Sequence, residues 1–406
     1  MIFNQTTIIL CLEVILMAIV TPFVNPFFRF RKAKPTPSVD VENNEQTEEL
    51  TESEEESQSE VVDINEQKAN KPITVLITAH NNAQELERHL PQFLSQNYEP
   101  GYEVIVVAEK GDGETEDVLK RHIADKHLYY TFIPDSSKYM SRKKLAITLG
   151  VKAARNEWIV LTDACCAPFS DKWLKTIANH CDDDKNLLIG YSNYDNEAKP
   201  YYRFERLQTM CYLLPKAMHS TAYRTNGNLV AFRKSEFIDQ DGYRGNLETI
   251  RGEYDFLVNK YARKGDTEVM LDQDGWVIED APTQKTWRNK QMFYMHTRKH
   301  LQRKFCMRSL FNIDNLLLHL NYLLELAALA YSIIVQNWIL TVAAVLAFII
   351  TITLRSIFGK KVMNHFDEDI SVWRIVPYEI STIWHKLAHR IRYWRADKYD
   401  FTSHKL

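Results

Sequence analysis

Three short runs of apolar, largely β-branched residues in this 406-residue chain each end on side chains that could do chemistry. Ile73 to Thr78 leads into Ala79-His80-Asn81-Asn82, and Glu103 to Ala108 into Glu109-Lys110-Gly111-Asp112-Gly113-Glu114-Thr115. Trp158 to Thr162 leads into Asp163-Ala164-Cys165-Cys166-Ala167-Pro168. A basic stretch, Lys138 to Ala146 (KYMSRKKLA), lies between the second and third runs. Two acids at strand ends with a basic cluster between them suit a nucleotide: carboxylates accept hydrogen bonds from ribose hydroxyls, and Lys and Arg meet phosphates. Taken singly, an Asp after a strand is a common helix cap and a basic run a solvated helix face. Order and spacing carry the reading.

The elements that must position these residues are legible as alternation. A helical stretch over Glu85 to Gln96 separates the first two runs, and another over Arg142 to Ala154 precedes the third. Strand, helix, strand at this spacing means βαβ units and a mainly parallel sheet, so residues 71–305 read as one α/β domain. In such sheets ligands lie beyond the carboxyl ends of the strands, where the reactive residues fall.

The flanks differ in kind. Residues 7–24, TTIILCLEVILMAIVTPF, form an apolar run long enough to span a bilayer and are followed by Arg29, Arg31, Lys32 and Lys34. A signal peptide carries its positive charge before the apolar core. Here the order is reversed, so residues 1–28 read as an uncleaved anchor with the following segment cytoplasmic. Between Asp40 and Glu66 stand twelve acids and no Lys or Arg, which makes residues 29–70 a disordered, self-repelling linker; a partner-binding acidic tail is the alternative. The formal charge of -3 therefore hides an asymmetry. Without those twelve, 41 acids face 50 bases, leaving a remainder near +9. Leu316 to Val335 and Trp338 to Leu354, parted by Gln336 and Asn337, read as a transmembrane hairpin within residues 306–360. Basic residues flank it on both sides. A buried hairpin of a soluble core, suggested by His319, Asn321 and Glu325, is the alternative. Residues 361–406 read as an amphipathic cytoplasmic tail, with Trp373, Trp384 and Trp394 among Lys386, Arg390, Arg392 and Arg395.

Composition bounds the class. At 45% hydrophobic and 25% charged, with 8 Trp, 20 Tyr and 19 Phe, the chain is neither wholly disordered nor collagen-like. Its mildly polar mean hydropathy excludes a protein made mainly of spanning helices. Six scattered cysteines without a C-x-x-C pair give no disulfide framework or structural zinc, so the compartment is reducing.

The succession T-A-H-N-N, E-V-I-V-V-A-E, S-R-K-K-L-A and W-I-V-L-T-D-A-C-C-A-P resembles the family 2 glycosyltransferases of the GT-A fold. The likeness continues through Asn226 to Lys234 and Gly252 to Leu257, and covers roughly residues 72–300. Membrane-anchored bacterial members are similar in layout. The resemblance implies a nucleotide-sugar donor held by Thr78, His80, Asn82, Glu109, Arg142, Lys143, Lys144 and Asp163. Glu109 stands where Asp is commoner. It implies a divalent cation, Mn²⁺ or Mg²⁺, at a D-x-D motif that here reads Asp163-Ala164-Cys165, with His296 or His300 completing the shell. A thiol is a poor match for Mg²⁺, though Mn²⁺ tolerates it better. The base of an inverting member would be Asp255 or, second, Glu253, with Tyr254 where another acid is frequent. These could equally be N-terminal helix acids favoured by the dipole. Asn228, Trp287 and Arg298 fall on the acceptor or closing segment. His296, Arg298 and His300 would also suit a juxtamembrane cluster meeting anionic lipid.

The expectation is a membrane-bound inverting glycosyltransferase, its catalytic domain on the cytoplasmic face of a bacterial inner membrane. It would move a sugar to a lipid-linked or surface-glycan acceptor, as in polysaccharide biosynthesis of the cell envelope, and no nucleic acid is involved. The alternative is a catalytically impaired glycosyltransferase-like subunit that binds nucleotide or a partner enzyme, because Cys165 and Tyr254 replace acids. A processive polymerase lacks support without a Q-x-x-R-W motif. A nucleotidyltransferase would need a glycine-rich phosphate loop after the first strand, and Thr78 to Asn82 has none.

Overall fold

The computed structural model describes residues 5–32, 71–134 and 141–401. The acidic stretch and Lys138 to Met140 lie outside the described residues. The chain divides into two compact units, one of residues 1–34, 198–215 and 302–395, the other of residues 35–197, 216–301 and 396–406. Residues 198–215 thus fall in the first unit, although they stand inside the span that reads as one α/β domain.

The first unit begins with α1 (Gln5–Val20) and α2 (Pro26–Lys32). The second is built on a seven-stranded sheet of order β3-β2-β1-β4-β8-β6-β9. Its strands are β1 (Ile73–Thr78), β2 (Tyr102–Glu109), β3 (Leu128–Ile133), β4 (Trp158–Asp163), β6 (Leu187–Gly190), β8 (Val230–Arg233) and β9 (Thr267–Met270). All neighbours are parallel except β8, which runs against both β4 and β6. A smaller sheet joins β5 (Cys166–Pro168) and β7 (Ser192–Tyr194) to β10 (Val277–Glu279) between them. Every residue of β1 is buried, because helices cover both faces of a parallel sheet and leave no solvent side.

The helices of this chain segment are α3 (Ala83–Leu94), α4 (Gly113–Arg121), α5 (Arg142–Ala153), α6 (Trp173–Asn179), α7 (Pro200–His219), α8 (Lys234–Asp239), α9 (Glu253–Tyr261) and α10 (Gln284–Thr297). Of these α7 is shared, its residues up to Pro215 belonging to the first unit. Ser141 starts α5 by accepting the Lys144 N–H at 3.3 Å. The helix then lies close on the sheet: a Cβ at Gly150 would stand 2.2 Å from Leu76 Cδ1, so only glycine permits the approach. That contact fixes where the basic first turn of α5 falls.

The remaining helices of the first unit are α11 (Phe305–Ile334), α12 (Trp338–His365) and α13 (Val372–Arg395). The two-residue break expected between the apolar runs is present. Gln336 takes a left-handed φ of 52°, and Asn337 caps α12 by accepting the Leu340 N–H at 3.3 Å. Three segments among the described residues are long and apolar enough to cross a membrane: Gln5–Val24, Ser309–Ile334 and Trp338–His365. Small residues let these helices approach, as where Val14 and Ala18 pack on Ala347. Large apolar side chains, among them Leu12, Leu16, Leu316, Leu323 and Ile349, stay exposed.

Candidate active site

Parallel register brings the first three acceptor groups to one edge of the sheet. Thr78, the last residue of β1, pairs in register with Asp163, the last of β4, and β2 on the other side ends at Glu109. Thr78 donates its hydroxyl to Asp163 Oδ1 at 3.3 Å. The first turn of α5 spans these ends. Arg142 Nε donates to Glu109 Oε1 at 2.7 Å, and Lys143 Nζ lies 2.6 Å from Asp163 Oδ1. His80 Nδ1 meets the second Glu109 oxygen at 3.0 Å. Asn82 plays a local part, accepting the His80 N–H at 3.3 Å beside Asn81, whose φ is 52°. Of the eight residues expected at the donor, these hydrogen bonds and ion pairs link six directly; Asn82 joins through His80.

Lys144 is the exception. Its ammonium is turned inward and donates to Asn246 O at 2.7 Å, Asn246 Oδ1 at 3.1 Å, Thr249 O at 2.6 Å and Thr249 Oγ1 at 2.8 Å. All of its donors are engaged. Burial lowers its pKa to about 8 against the raising influence of Glu253. Lys144 therefore holds the loop before α9 rather than a phosphate. Ser141 braces the same loop by donating to Ile250 O at 2.7 Å.

That loop delivers the candidate bases. Gly252 has a φ of 97°, and a Cβ there would lie 2.7 Å from Thr297 Cγ2, so the entry to α9 requires glycine. Glu253 is buried, with Oε2 accepting from the Gly252 N–H at 3.1 Å and Oε1 without a hydrogen-bond partner. Asp255 lies 3.9 Å from the Arg224 guanidinium, which itself rests 3.8 Å over the Tyr294 ring. Burial pushes the Asp255 carboxyl up to about 6, against Arg224 and a backbone hydrogen bond at Thr225 that pull it down. Tyr254 is buried between them, its ring 5.3 Å from Lys143 Nζ. Burial and the nearby Asp163 carboxylate raise its phenol well above the usual range, so it stays protonated.

The turn after Asp163 enters the small sheet, where Cys166 pairs with Glu279 in register. Glu279 is buried and accepts from Asn228 Nδ2 at 2.9 Å and from Lys290 of α10, and the Cys165 thiol lies 3.9 Å from its Oε1. Asn228 Nδ2 also reaches Cys166 Sγ at 3.4 Å. Neither Glu279 nor Lys290 was among the residues expected from the sequence. The available signal was the one used elsewhere, an acid closing a short apolar run, here Val277-Ile278.

The expected cation shell is not assembled. Among the described residues no three His, Cys, Asp or Glu side chains are grouped to hold a metal ion. A hard dication wants several oxygen ligands. Asp163 is closed by Lys143, and its neighbour two residues on is a thiol that the Cys166 hydrogen bond and burial hold well above its usual range. His296 stacks on Phe401 with ring centroids 5.2 Å apart, and His300 lies 5.4 Å from His296. Burial lowers the His296 pKa. Trp287 is buried in α10, and Arg298 caps its end, its N–H on Tyr294 O at 3.0 Å. The donor set therefore does not fit Mg²⁺ or Mn²⁺.

The sequence profile described as "Glycosyl transferase family 2" matches residues 74–238. No curated protein matches the chain by sequence. Among solved structures, the mannosyltransferase PcManGT from Pyrobaculum calidifontis, in complex with GDP-Man and Mn²⁺, is 15% identical with a TM-score of 0.50, over 94% of this chain and 99% of that one. Two structures of S. aureus TarS 1-349 also match. One is 13% identical with a TM-score of 0.41, over 77% of this chain and 92% of that one. The other, with UDP-GlcNAc, is 12% identical with a TM-score of 0.42, over 78% and 92%. The profile match covers the strand ends at Thr78, Glu109 and Asp163 with the basic turn between them, and the sheet is mainly parallel throughout. Residues 74–238 match the glycosyl transferase family 2 profile, and the sheet they help to build is mainly parallel, as in the GT-A fold.

Proposed function

We propose that this protein transfers a sugar, with inversion, from a nucleotide donor to a lipid-linked or surface-glycan acceptor at the cytoplasmic face of a bacterial inner membrane. The observation that carries the reading is the convergence of Thr78, Glu109 and Asp163 under the Arg142-Lys143 turn of α5. Glu109 takes the ribose hydroxyls, Arg142 and Lys143 the diphosphate. Asp255 accepts the proton of the acceptor hydroxyl as its oxygen attacks the anomeric carbon. The bond from that carbon to the diphosphate oxygen breaks, and the electron pair leaves with the nucleoside diphosphate, where the two basic side chains neutralise it. A carboxyl near 6 suits this task at neutral pH, because it is ionised yet basic enough to take a proton.

Membrane attachment is supported by the three apolar helices and by large side chains on them that would stand in water at high cost. The divalent cation that the resemblance implies has no step in this mechanism. A second reading, a nucleotide-binding subunit without turnover, draws on the protonated phenol of Tyr254 set beside Asp163. A panel of nucleotide sugars tests both. Transfer or donor hydrolysis that falls on Asp163→Ala and Asp255→Asn, with inverted product, supports the first. Binding of nucleotide diphosphate without turnover of any sugar supports the second.

A further inference from the structure

Helix α13 has two apolar faces, and the helical unit that holds it accounts for one of them. On the buried face Val376 lies against Leu318 and Tyr322 of α11, and Glu379 is bonded to Arg355 of α12. The approach is close, since a Cβ at Gly359 would stand 2.8 Å from Ile375 Cγ2. On the other face Trp373, Pro377, Trp384, Leu387, Ile391 and Trp394 follow one another at intervals of four, seven, three, four and three residues, which keeps them on one side of a helix. At about 100° per residue the buried Ile375, Glu379, Thr382 and Tyr393 fall opposite them. All six outward residues are exposed, the three tryptophans by 86%, 60% and 80%. A helix that met only water on that side would carry polar residues there.

The charge around this stripe has one sign. Arg374 and Arg392 fall on one flank and Arg390 on the other, Arg395 closes the end, and all four are exposed. The single acid of the helix, Glu379, is buried against Arg355. Lys386 is spent elsewhere, its ammonium 3.6 Å from the centroid of the Phe311 ring. A partner for this face must offer apolar surface and negative charge together, as anionic lipid does. Continuity points the same way. Leu318 and Tyr322 lie within Ser309–Ile334 and Arg355 within Trp338–His365, two of the segments long and apolar enough to cross a membrane, whereas α13 is not such a segment.

We infer that α13 docks on an anionic bilayer leaflet, lying in the plane of the interface with Trp373, Trp384 and Trp394 at headgroup depth and the arginines on lipid phosphates. Tryptophan suits that depth because its ring is apolar with one polar edge, and an Arg stem stays in apolar surroundings while its guanidinium reaches the phosphate. The inference rests on the membrane attachment proposed above.

The test uses the full chain in nanodiscs of phosphatidylcholine and phosphatidylglycerol and reads tryptophan emission quenched by brominated acyl chains. Of the eight tryptophans, Trp158, Trp173, Trp276 and Trp287 are buried in the sheet unit, and Trp338 opens α12. Trp373→Phe, Trp384→Phe and Trp394→Phe combined keep the face apolar and should remove about three quarters of the quenchable emission, their share of the four tryptophans in the helical unit. Bromines carried on phosphatidylglycerol should quench the native chain more than the same fraction carried on phosphatidylcholine, a comparison that needs no variant. Arg374→Gln, Arg390→Gln and Arg392→Gln together should abolish that difference. Quenching left intact by the three Phe substitutions overturns the inference, and discs holding two copies of the chain would then show that a second copy covers the face. Equal quenching of the native chain by the two brominated lipids overturns it as well. In each case emission that Trp338→Phe removes from the quenchable pool leaves membrane attachment standing. If no emission is quenchable, attachment and inference fail together.

Discussion

Ion pairs in the sheet unit and in the helical unit use the same chemistry to different ends. Where Glu109 and Glu279 are paired, the basic partner reaches solvent: Arg142 is 30% exposed against Glu109, and Lys290 40% against Glu279. In the helical unit Arg355 of α12 is 0% exposed, bonded to Glu379 at 3.1 Å and Asp314 at 3.4 Å. Asn25 closes the other Glu379 oxygen, and Tyr212 donates to Asp314 at 2.5 Å. Each carboxylate is held by two partners within the unit. Accessible pairs can exchange one partner for a substrate, whereas a sealed network can only brace the helices that supply it, here α7, α11, α12, α13 and the turn before α2. Solvent access, not pairing, separates binding from bracing.

Asp255, the candidate base, gives the sharpest test on the sheet unit. Its loss as a base in Asp255→Asn should cut transfer by about 10²- to 10⁴-fold, while UDP or GDP titration changes little. The native rate should follow the same group. Burial raises the carboxyl to about 6, so the base is ionised above that pH, and activity should fall about tenfold per unit below it. A rate that stays level down to pH 4 would remove Asp255 from the role.

On the sealed side, removing one partner should be costly and removing all three should not. Arg355→Leu strands Asp314 and Glu379 and should cost about 3–5 kcal/mol in denaturant unfolding in detergent. Combining it with Asp314→Leu and Glu379→Leu should recover most of that loss. If the triple variant is as unstable as the single one, the network does more than satisfy its own charges.

Lys143 and Lys144 place both behaviours side by side. Lys144→Met should destabilise the sheet unit by about 2–3 kcal/mol, because several charge-assisted bonds to Asn246 and Thr249 are lost. Nucleotide affinity should hold. Lys143→Met should do the reverse, and comparison of melting with titration for the two variants separates them. Two adjacent lysines are indistinguishable in a sequence. An α-helix turns about 100° per residue, so one faces the strand ends and its neighbour the loop before α9.

The same limit explains what else was and was not legible. β1, β2 and β4 were readable because each is a run of five or more apolar or β-branched residues ending on a polar one. Their terminal acids inherited that clarity. β10 spans three residues, too few for a period to show, so the acid that closes it, Glu279, stands out less than Glu109 or Asp163. Lys290 sits mid-helix, and the carboxylate that gives it meaning comes from the strand before α10 rather than from the helix face. The partner of His296 is Phe401, more than a hundred residues away, which is why proximity to Asp163 had no basis in spacing.

Cys165 offers the finest test of what the accessible pairs do. Its Sγ lies 3.9 Å from Glu279 Oε1 and it follows Asp163 by two residues; each of these carboxylates is paired with a lysine, and the thiol adds no charge to the balance. Cys165→Asp would add one, leaving three carboxylates against two ammoniums and giving a cation its first net attraction and an oxygen donor. Mn²⁺ at about tenfold above its dissociation constant then stabilises the variant by roughly 1.4 kcal/mol, a rise in melting temperature of about 3–6 °C for a domain of this size. The native chain should show no such rise, and UDP added with Mn²⁺ should raise the variant further than UDP alone. A Mn²⁺ shift in the native chain would mean that Lys143 and Lys290 yield to a cation. Solvent access would then mark places where metal, not substrate, displaces the base.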